Sequence, residues 1–321
     1  MKSRYLFPKD YMADPSANVF NGRLYIYPSH DWDSGECFDD DGGHFQMQDY
    51  HVLSLGDDPM TAPVTDHGVI LDVKDVPWAE KQMWDNDVVE KNGKYYLIFS
   101  AKDYNGVFHL GVAVSETPEG PFVPKADPIR GSYSIDPCVF KDEDGSVYCY
   151  FGGIWGGQLQ WYKDNKALKC EHLPEGNETP LPSRVAKMTD DVLQFSEASR
   201  PVLIVDENGK PLTADNPHRF FEASWMHKYN GKYYFSYSTG DTHYLCYAVG
   251  DNPYGPFTYK GVILEPVVGW TTHHSIAEFK GKWYLFHHDC VPSKDTTWLR
   301  SLKVIPLSYD KDGNIIKMKS E

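Results

Sequence analysis

Basic residues are scarce: 31 Lys and Arg stand against 46 Asp and Glu, for a formal net charge of -15 at pH 7. Nucleic acid and anionic membranes are bound by clustered Lys and Arg, so this balance argues against both as partners and suits a neutral ligand. Long apolar runs are also missing. No stretch approaches the roughly 18 residues of a membrane span. The opening MKSRYLFPKDYMADPSA carries basic residues but no apolar core ahead of a small-residue cleavage site. A cytoplasmic location is expected, or a periplasmic or secreted one if a leader has been removed. The six cysteines (Cys37, Cys138, Cys149, Cys170, Cys246, Cys290) are scattered without CxxC spacing, so buried free thiols are expected rather than a zinc site or a redox pair. Amphipathic helices of ordinary length are absent, and only Asp190 to Phe195 hints at a short one.

What is present is aromatic and repetitive. Aromatic residues reach 15%, with 22 Tyr and 9 Trp, a bias that suits β-sheet faces and equally suits stacking on sugar rings. One pattern recurs five times: a polar or acidic residue, a short alternating apolar run, a turn containing Gly, and a Tyr-rich run. It reads ADPSANVFNGRLYIYPSHD, WDNDVVEKNGKYYLIFSAKD, IDPCVFKDEDGSVYCYFGG, FEASWMHKYNGKYYFSYSTG and HHSIAEFKGKWYLFHHD. Asn-Gly and Asp-Gly favour the positive φ values of tight hairpin turns. A second pattern, a strand running into a Pro- and Gly-rich loop (VLSLGDDPMTAP, VAVSETPEGPF, YAVGDNPYGPF), fits outer strands, where the missing N–H of Pro is tolerated. Five hairpin units with further strands between them predict an all-β fold, a five-bladed β-propeller occupying residues 1–321 as a single domain. A β-sandwich explains the hairpins but gives no reason for an acidic residue to open successive units.

The propeller makes a geometric prediction. The first strand of each blade lines the central channel, and these strands run parallel, so matching positions near their starts converge at one mouth. Counting back from Gly22, Gly93, Gly145, Gly231 and Gly281, the matching positions are Asp14, Asp85, Asp136, Glu222 and His274, within a residue. Converging carboxylates either hold a hard cation such as Ca²⁺ or divide acid and base roles, as in glycoside hydrolysis. Asp136 beside Glu222 is expected to raise the pKa of Glu222 by like-charge repulsion. Arg300, in WLRSLK, is expected to hold a carboxylate ionised and to anchor substrate hydroxyls.

At these residues the chain resembles glycoside hydrolase family 43, the five-bladed propeller enzymes that include β-xylosidases and α-L-arabinofuranosidases. The likeness runs from ADPSANVFNGRLYIYPSHD to WLRS and rests on three acidic motifs in order: Asp14 in ADPS, Asp136 in SIDPCVF and Glu222 in FFEASWMHK. The resemblance implies an inverting mechanism. Asp14 would be the general base, Glu222 the general acid, and Asp136 the residue that orients Glu222 and tunes its pKa. The working carboxyls would stand about 6.5–9.5 Å apart to admit water. It also implies that His274, in HHSI, lines the channel and meets a structural Ca²⁺ or a water there, while the chemistry itself requires no cofactor. His273, on the opposite face of an extended strand, ranks below it.

Trp84 and Trp155 are candidates for stacking on a sugar ring. Asp31 and Trp32 are placed within reach of the pocket rim, and Asp85 and Asp87 read as structural support. GGIWGGQLQW resembles the β-xylosidase branch, which implies exo-acting release of xylose from β-1,4-xylo-oligosaccharides, with α-L-arabinofuranosidase activity in the same pocket. The partner is then a xylo- or arabino-oligosaccharide. An arabinanase with an open groove is the alternative within the fold. The segment Leu159 to Pro217 is expected to wall off the pocket. A non-catalytic sugar-binding propeller would have lost at least one of the three acids, and a WD40-type scaffold would show evenly spaced GH and WD dipeptides, which are missing.

Overall fold

The computed structural model describes residues 2–320, which form β-strands, loops and a few single-turn 3-10 helices. The hairpins form where the turn chemistry predicts. Asn21-Gly22, Asn92-Gly93, Asn230-Gly231 and Lys280-Gly281 each place two successive residues at positive φ, 49–56° for the first and 73–75° for the glycine. That is the backbone of a two-residue turn whose twist matches the flanking strands. The third unit uses a longer loop, closed by the Asp142 N–H on the Ser146 carbonyl at 2.8 Å.

Each hairpin supplies the two inner strands of a blade. The first blade runs Met12–Phe20, Arg23–His30, Asp49–Leu55, Val64–Asp72. The second runs Asn86–Lys91, Lys94–Asp103, Phe108–Ser115, Val123–Pro124, with Ala79–Lys81 added beside Lys94–Asp103. The third runs Cys138–Lys141, Val147–Phe151, Arg184–Lys187, Arg200–Pro201, and the fourth Glu222–Tyr229, Lys232–Ser238, Leu245–Gly250, Phe257–Leu264. The fifth runs His274–Phe279, Lys282–Asp289, Ser301–Leu307, and its outermost strand is Arg4–Tyr5 from the other end of the chain. Met12–Phe20 packs on both Asn86–Lys91 and His274–Phe279, so the five innermost strands close a ring. The chain is thus the five-bladed propeller expected, closed by an N-terminal strand that the repeat did not mark. The strands that open Pro- and Gly-rich loops are third, not outermost, in their blades.

An innermost strand has one edge without a sheet partner. Side chains of the neighbouring blade cover it. The Asp14 N–H donates to His288 Nδ1 (3.1 Å), the Ala17 N–H to Ser275 Oγ (3.1 Å), the Val139 N–H to Asp87 Oδ2 (2.7 Å) and the Ala223 N–H to Asp136 Oδ2 (2.7 Å). Asp87 carries the most: it also accepts from the Val88 N–H and Asn18 Nδ2, both at 2.8 Å, and from the Ser16 hydroxyl. It is the structural residue the sequence indicated. Apolar faces pack blade on blade, for example Tyr27 and Tyr50 against Leu97, Phe99 and Ala113.

Two expectations are corrected here. Asp190 to Phe195 is a tight turn closed by a Met188–Phe195 bridge, with Val192 at φ 59°, because Thr189 and Asp191 side chains cap its backbone in place of a helical turn. Leu159 to Pro217 does not wall the pocket: it contains the outer strands of the third blade and Ile204–Val205, which pairs parallel to the fourth. All six cysteines are free, four of them buried. No helix among the described residues is long and apolar enough to cross a membrane.

Because Asp87 satisfies backbone and side-chain donors from three blades, Asp87→Ala leaves buried N–H groups unpaired and is expected to cost about 3 kcal/mol or more. Asp87→Asn, which keeps an acceptor, should cost less. Urea unfolding followed by tryptophan fluorescence checks both, and an unchanged midpoint for the alanine variant would refute the role.

Candidate active site

The two ends of the inner strands differ in chemistry. Asp14, Asp85, Asp136, Glu222 and His273, at the strand starts, line one pocket, while residues such as Val19, Val89, Phe140, Met226 and Ala277 line a cavity toward the other end. The pocket, mouth included, measures about 640 Å³. Its acidic residues are aimed by unusual backbone. Asp14 and Asp136 take φ of 51° and 58°, and Ala223, directly after Glu222, takes 61°. Register shifts break the ladder between Ala13 and Ser16 and again between Glu222 and Trp225. Such bulges turn side chains out of the strict two-residue alternation, and left-handed backbone costs of order 1–2 kcal/mol for a residue with a Cβ.

Arg300 is the fixed charge of the site. It is 2% exposed, and its guanidinium donates to Asp14 Oδ1 (Nη1, 2.8 Å) and to both Asp31 oxygens (Nη2 2.7 Å, Nε 2.9 Å). Phe45 lies against its face, 4.9 Å from ring centre to the guanidinium carbon. Burial pushes the Asp14 carboxyl up and the Arg300 charge pulls it back, leaving it near 7. Its second oxygen, Oδ2, has no hydrogen-bond partner among the described residues.

The other groups sort into charged and neutral. His273 Nε2 lies 2.9 Å from Asp85 Oδ1. Burial opposes charge on Asp85, yet His273 and a hydrogen bond with Asp136 hold its pKa below the usual carboxylate range. Asp136 goes the other way: burial and the Asp85 charge raise it well above that range. Glu222 is raised to about 8, first by burial and then by the negative charge of Asp85. The pocket therefore pairs a carboxyl raised to about 8 with one that a guanidinium pulls back to about 7, the order that acid and base roles require.

Aromatic walls surround these groups. Trp84 is fixed by its indole N–H on the Phe45 carbonyl (2.9 Å) and packs on Phe108. Trp155 and Trp270 pack on each other and on Phe221. Between Arg23–His30 and Asp49–Leu55, a loop contributing Phe38, Asp39, His44 and Phe45 forms the remaining wall. It comes close because glycines permit it: a Cβ on Gly156 would stand 2.9 Å from the Asp41 carbonyl oxygen, and one on Gly42 would stand 2.6 Å from the Trp84 ring.

A family model described as glycosyl hydrolases family 43 matches residues 64–315. The chain is 79% identical to a β-xylosidase of Xylanibacter ruminicola over 99% of this chain and 100% of that one. It is 65% identical to a xylosidase/arabinosidase of Bacteroides ovatus, over 100% and 98% of the two chains. Among solved structures it resembles a family 43 β-xylosidase/α-arabinofuranosidase from a compost microbial metagenome, in complex with xylotriose in a calcium-free form. The TM-score is 0.96 and the identity 55%, over 98% of this chain and 97% of that one. The chain belongs to glycosyl hydrolase family 43. It is a glycoside hydrolase.

Within this family 43 site, Asp14, Asp136, Glu222, Trp84, Trp155 and Arg300 lie together as expected. Other expectations change. Asp31 does not reach the pocket; its side chain is fully buried behind Arg300, and both its oxygens are spent on the guanidinium. Trp32 turns to the outside, 44% exposed and 5.0 Å from the His30 ring. The histidine in the pocket is His273. His274 is fully buried in its strand, its Nε2 2.6 Å from Ser236 Oγ and its Nδ1 without a partner. The register carried this: eight back from Gly281 is His273, as eight back from Gly22 and Gly93 gives Asp14 and Asp85. Asp85, read as support, stands among the pocket acids, and after burial it is the charge of Asp85, not that of Asp136, that raises Glu222.

Removing that charge tests the assignment. Asp85→Asn is expected to lower the pKa of Glu222 below 8, seen by carbon NMR titration of labelled glutamate carboxyls. An unmoved Glu222 titration would mean burial alone sets it.

Proposed function

We propose that the chain is an exo-acting, inverting glycosidase that releases xylose from the ends of β-1,4-xylo-oligosaccharides and also cleaves α-L-arabinofuranosides. The observation that carries this reading is one pocket holding a protonated Glu222 and a guanidinium-held Asp14 with a free oxygen, on non-adjacent blades, between tryptophan walls. In this reading a sugar stacks against Trp84 and Trp155. Water donates a hydrogen bond to Asp14 Oδ2, loses its proton there and attacks the anomeric carbon as Glu222 protonates the departing oxygen. Asp136, through its Oδ2 bond to the Ala223 N–H, fixes the backbone that aims Glu222. Arg300 pulls the Asp14 pKa down against the effect of burial, and Asp31 keeps Arg300 in place. The wall built from Phe38 to Met47 supports a closed pocket and chain-end action over the open groove of an arabinanase. The names of the relatives support xylose and arabinose as the sugars.

A cation belongs to the reading only as structure. The unpartnered His274 Nδ1 is the atom that would hold one, with water completing the shell. Its contribution would be a fixed positive charge, and the proton transfers above use Asp14 and Glu222 alone.

Asp14→Asn and Glu222→Gln are each expected to lower kcat on xylobiose by roughly 10²–10⁴-fold while melting normally. Glu222→Gln should recover much of the loss on aryl xylosides with strongly acidic leaving groups, which need no proton, and Asp14→Asn should not. Proton NMR of the first-formed sugar decides the stereochemistry, with net retention refuting the scheme. Arg300→Met removes the charge that lowers the Asp14 pKa, so the rising limb of the kcat/KM profile should move to higher pH. A limb that stays put would detach Asp14 from the base role. Faster cleavage of arabinan than of xylobiose would favour the arabinanase.

A further inference from the structure

On the first blade, away from the pocket, a second group of ligating side chains converges. Ser29 pairs with Tyr50, so His30 falls opposite Asp49, and His51, two residues on from Asp49, shares its face of the sheet. Asp49 Oδ1 lies 2.8 Å from His30 Nδ1 and 3.6 Å from His51 Nε2, and the three atoms all lie within 4.8 Å of one another. Ligands of a four-coordinate zinc-sized ion, with bonds of about 2.0–2.1 Å, stand roughly 3.3 Å apart.

The second observation is what lies behind the imidazoles. The remaining nitrogen of each faces its own carboxylate: His51 Nδ1 is 3.0 Å from Asp66 Oδ1, and His30 Nε2 is 3.4 Å from Asp10 Oδ2. A carboxylate on the far nitrogen is the arrangement that fixes the tautomer and raises the basicity of a metal-bound histidine. All three ligands are largely shielded, with side-chain exposures of 12%, 8% and 12% for His30, Asp49 and His51.

We propose that His30, Asp49 and His51 form a binding site for a divalent ion of the zinc class, with Asp10 and Asp66 as its outer carboxylates. Two imidazoles and one carboxylate select a borderline transition ion over Ca²⁺ or Mg²⁺, which take oxygen shells. Water completes the coordination. The ion ties the end of Arg23–His30 to Asp49–Leu55, one residue before Asp31, the carboxylate that aims Arg300. The site is separate from the glycosidase pocket, and its existence does not depend on the sugar that the pocket takes.

Co²⁺ and Zn²⁺ titrations of the metal-stripped full chain test it, with a chromophoric chelator as competitor. One Co²⁺ is expected to bind with the visible absorption of a four-coordinate site and to quench Trp32, whose ring is 5.0 Å from that of His30. Zn²⁺ should displace it and a large excess of Ca²⁺ should not. His51→Gln should weaken binding at least tenfold, and Asp66→Asn by about 10–100-fold. The aspartate variant also guards against misfolding of the histidine variant, and His273→Gln and His274→Gln should leave this binding intact. Absence of saturable binding at micromolar metal, or binding lost in His273→Gln but unchanged in His51→Gln, would overturn the proposal.

Discussion

The contact on which the site depends is a buried guanidinium between two carboxylates. Arg300 sits in a place almost without water, where a lone positive charge would be untenable, and Asp31 and Asp14 make it tenable. Asp31 spends its whole hydrogen-bonding capacity on Arg300, whereas Asp14 spends one oxygen and keeps the other. Equal partners of one cation thus become unequal in chemistry: one is a support, and the other is a carboxylate with a free oxygen facing the pocket.

Around that fixed charge the remaining acids divide by neighbour rather than by residue type. Asp85, next to His273, is the ionised member. Asp136 and Glu222 are both pushed toward the protonated form, first by burial and then by that same negative charge. One anion therefore helps set the protonation of two other carboxyls. This works only because the propeller closes. Five inner strands deliver Asp14, Asp85, Asp136, Glu222 and His273 to one mouth, and the unpaired edges of those strands are covered by side chains of the next blade, including Asp136 itself. Catalytic geometry and ring cohesion share atoms at the Asp136–Ala223 contact.

The amino-acid sequence alone determined the blade count, the hairpin turns and the end of the channel at which the acids gather, because Asn-Gly turns and two-residue alternation are local properties. It also carried Asp14, Asp136 and Glu222, since each stands eight or nine residues before a turn glycine. What only the tertiary structure decided begins where that alternation fails. Positive φ at Asp14, Asp136 and Ala223 breaks the rule that neighbours point to opposite faces, and the burial of Asp31 behind Arg300 rests on a contact 269 residues away in the chain. The roles of the Phe38–Met47 wall and of the Leu159–Pro217 stretch were likewise out of reach. A loop becomes a wall, or a blade edge, through packing partners distant in the chain, and no local pattern encodes those.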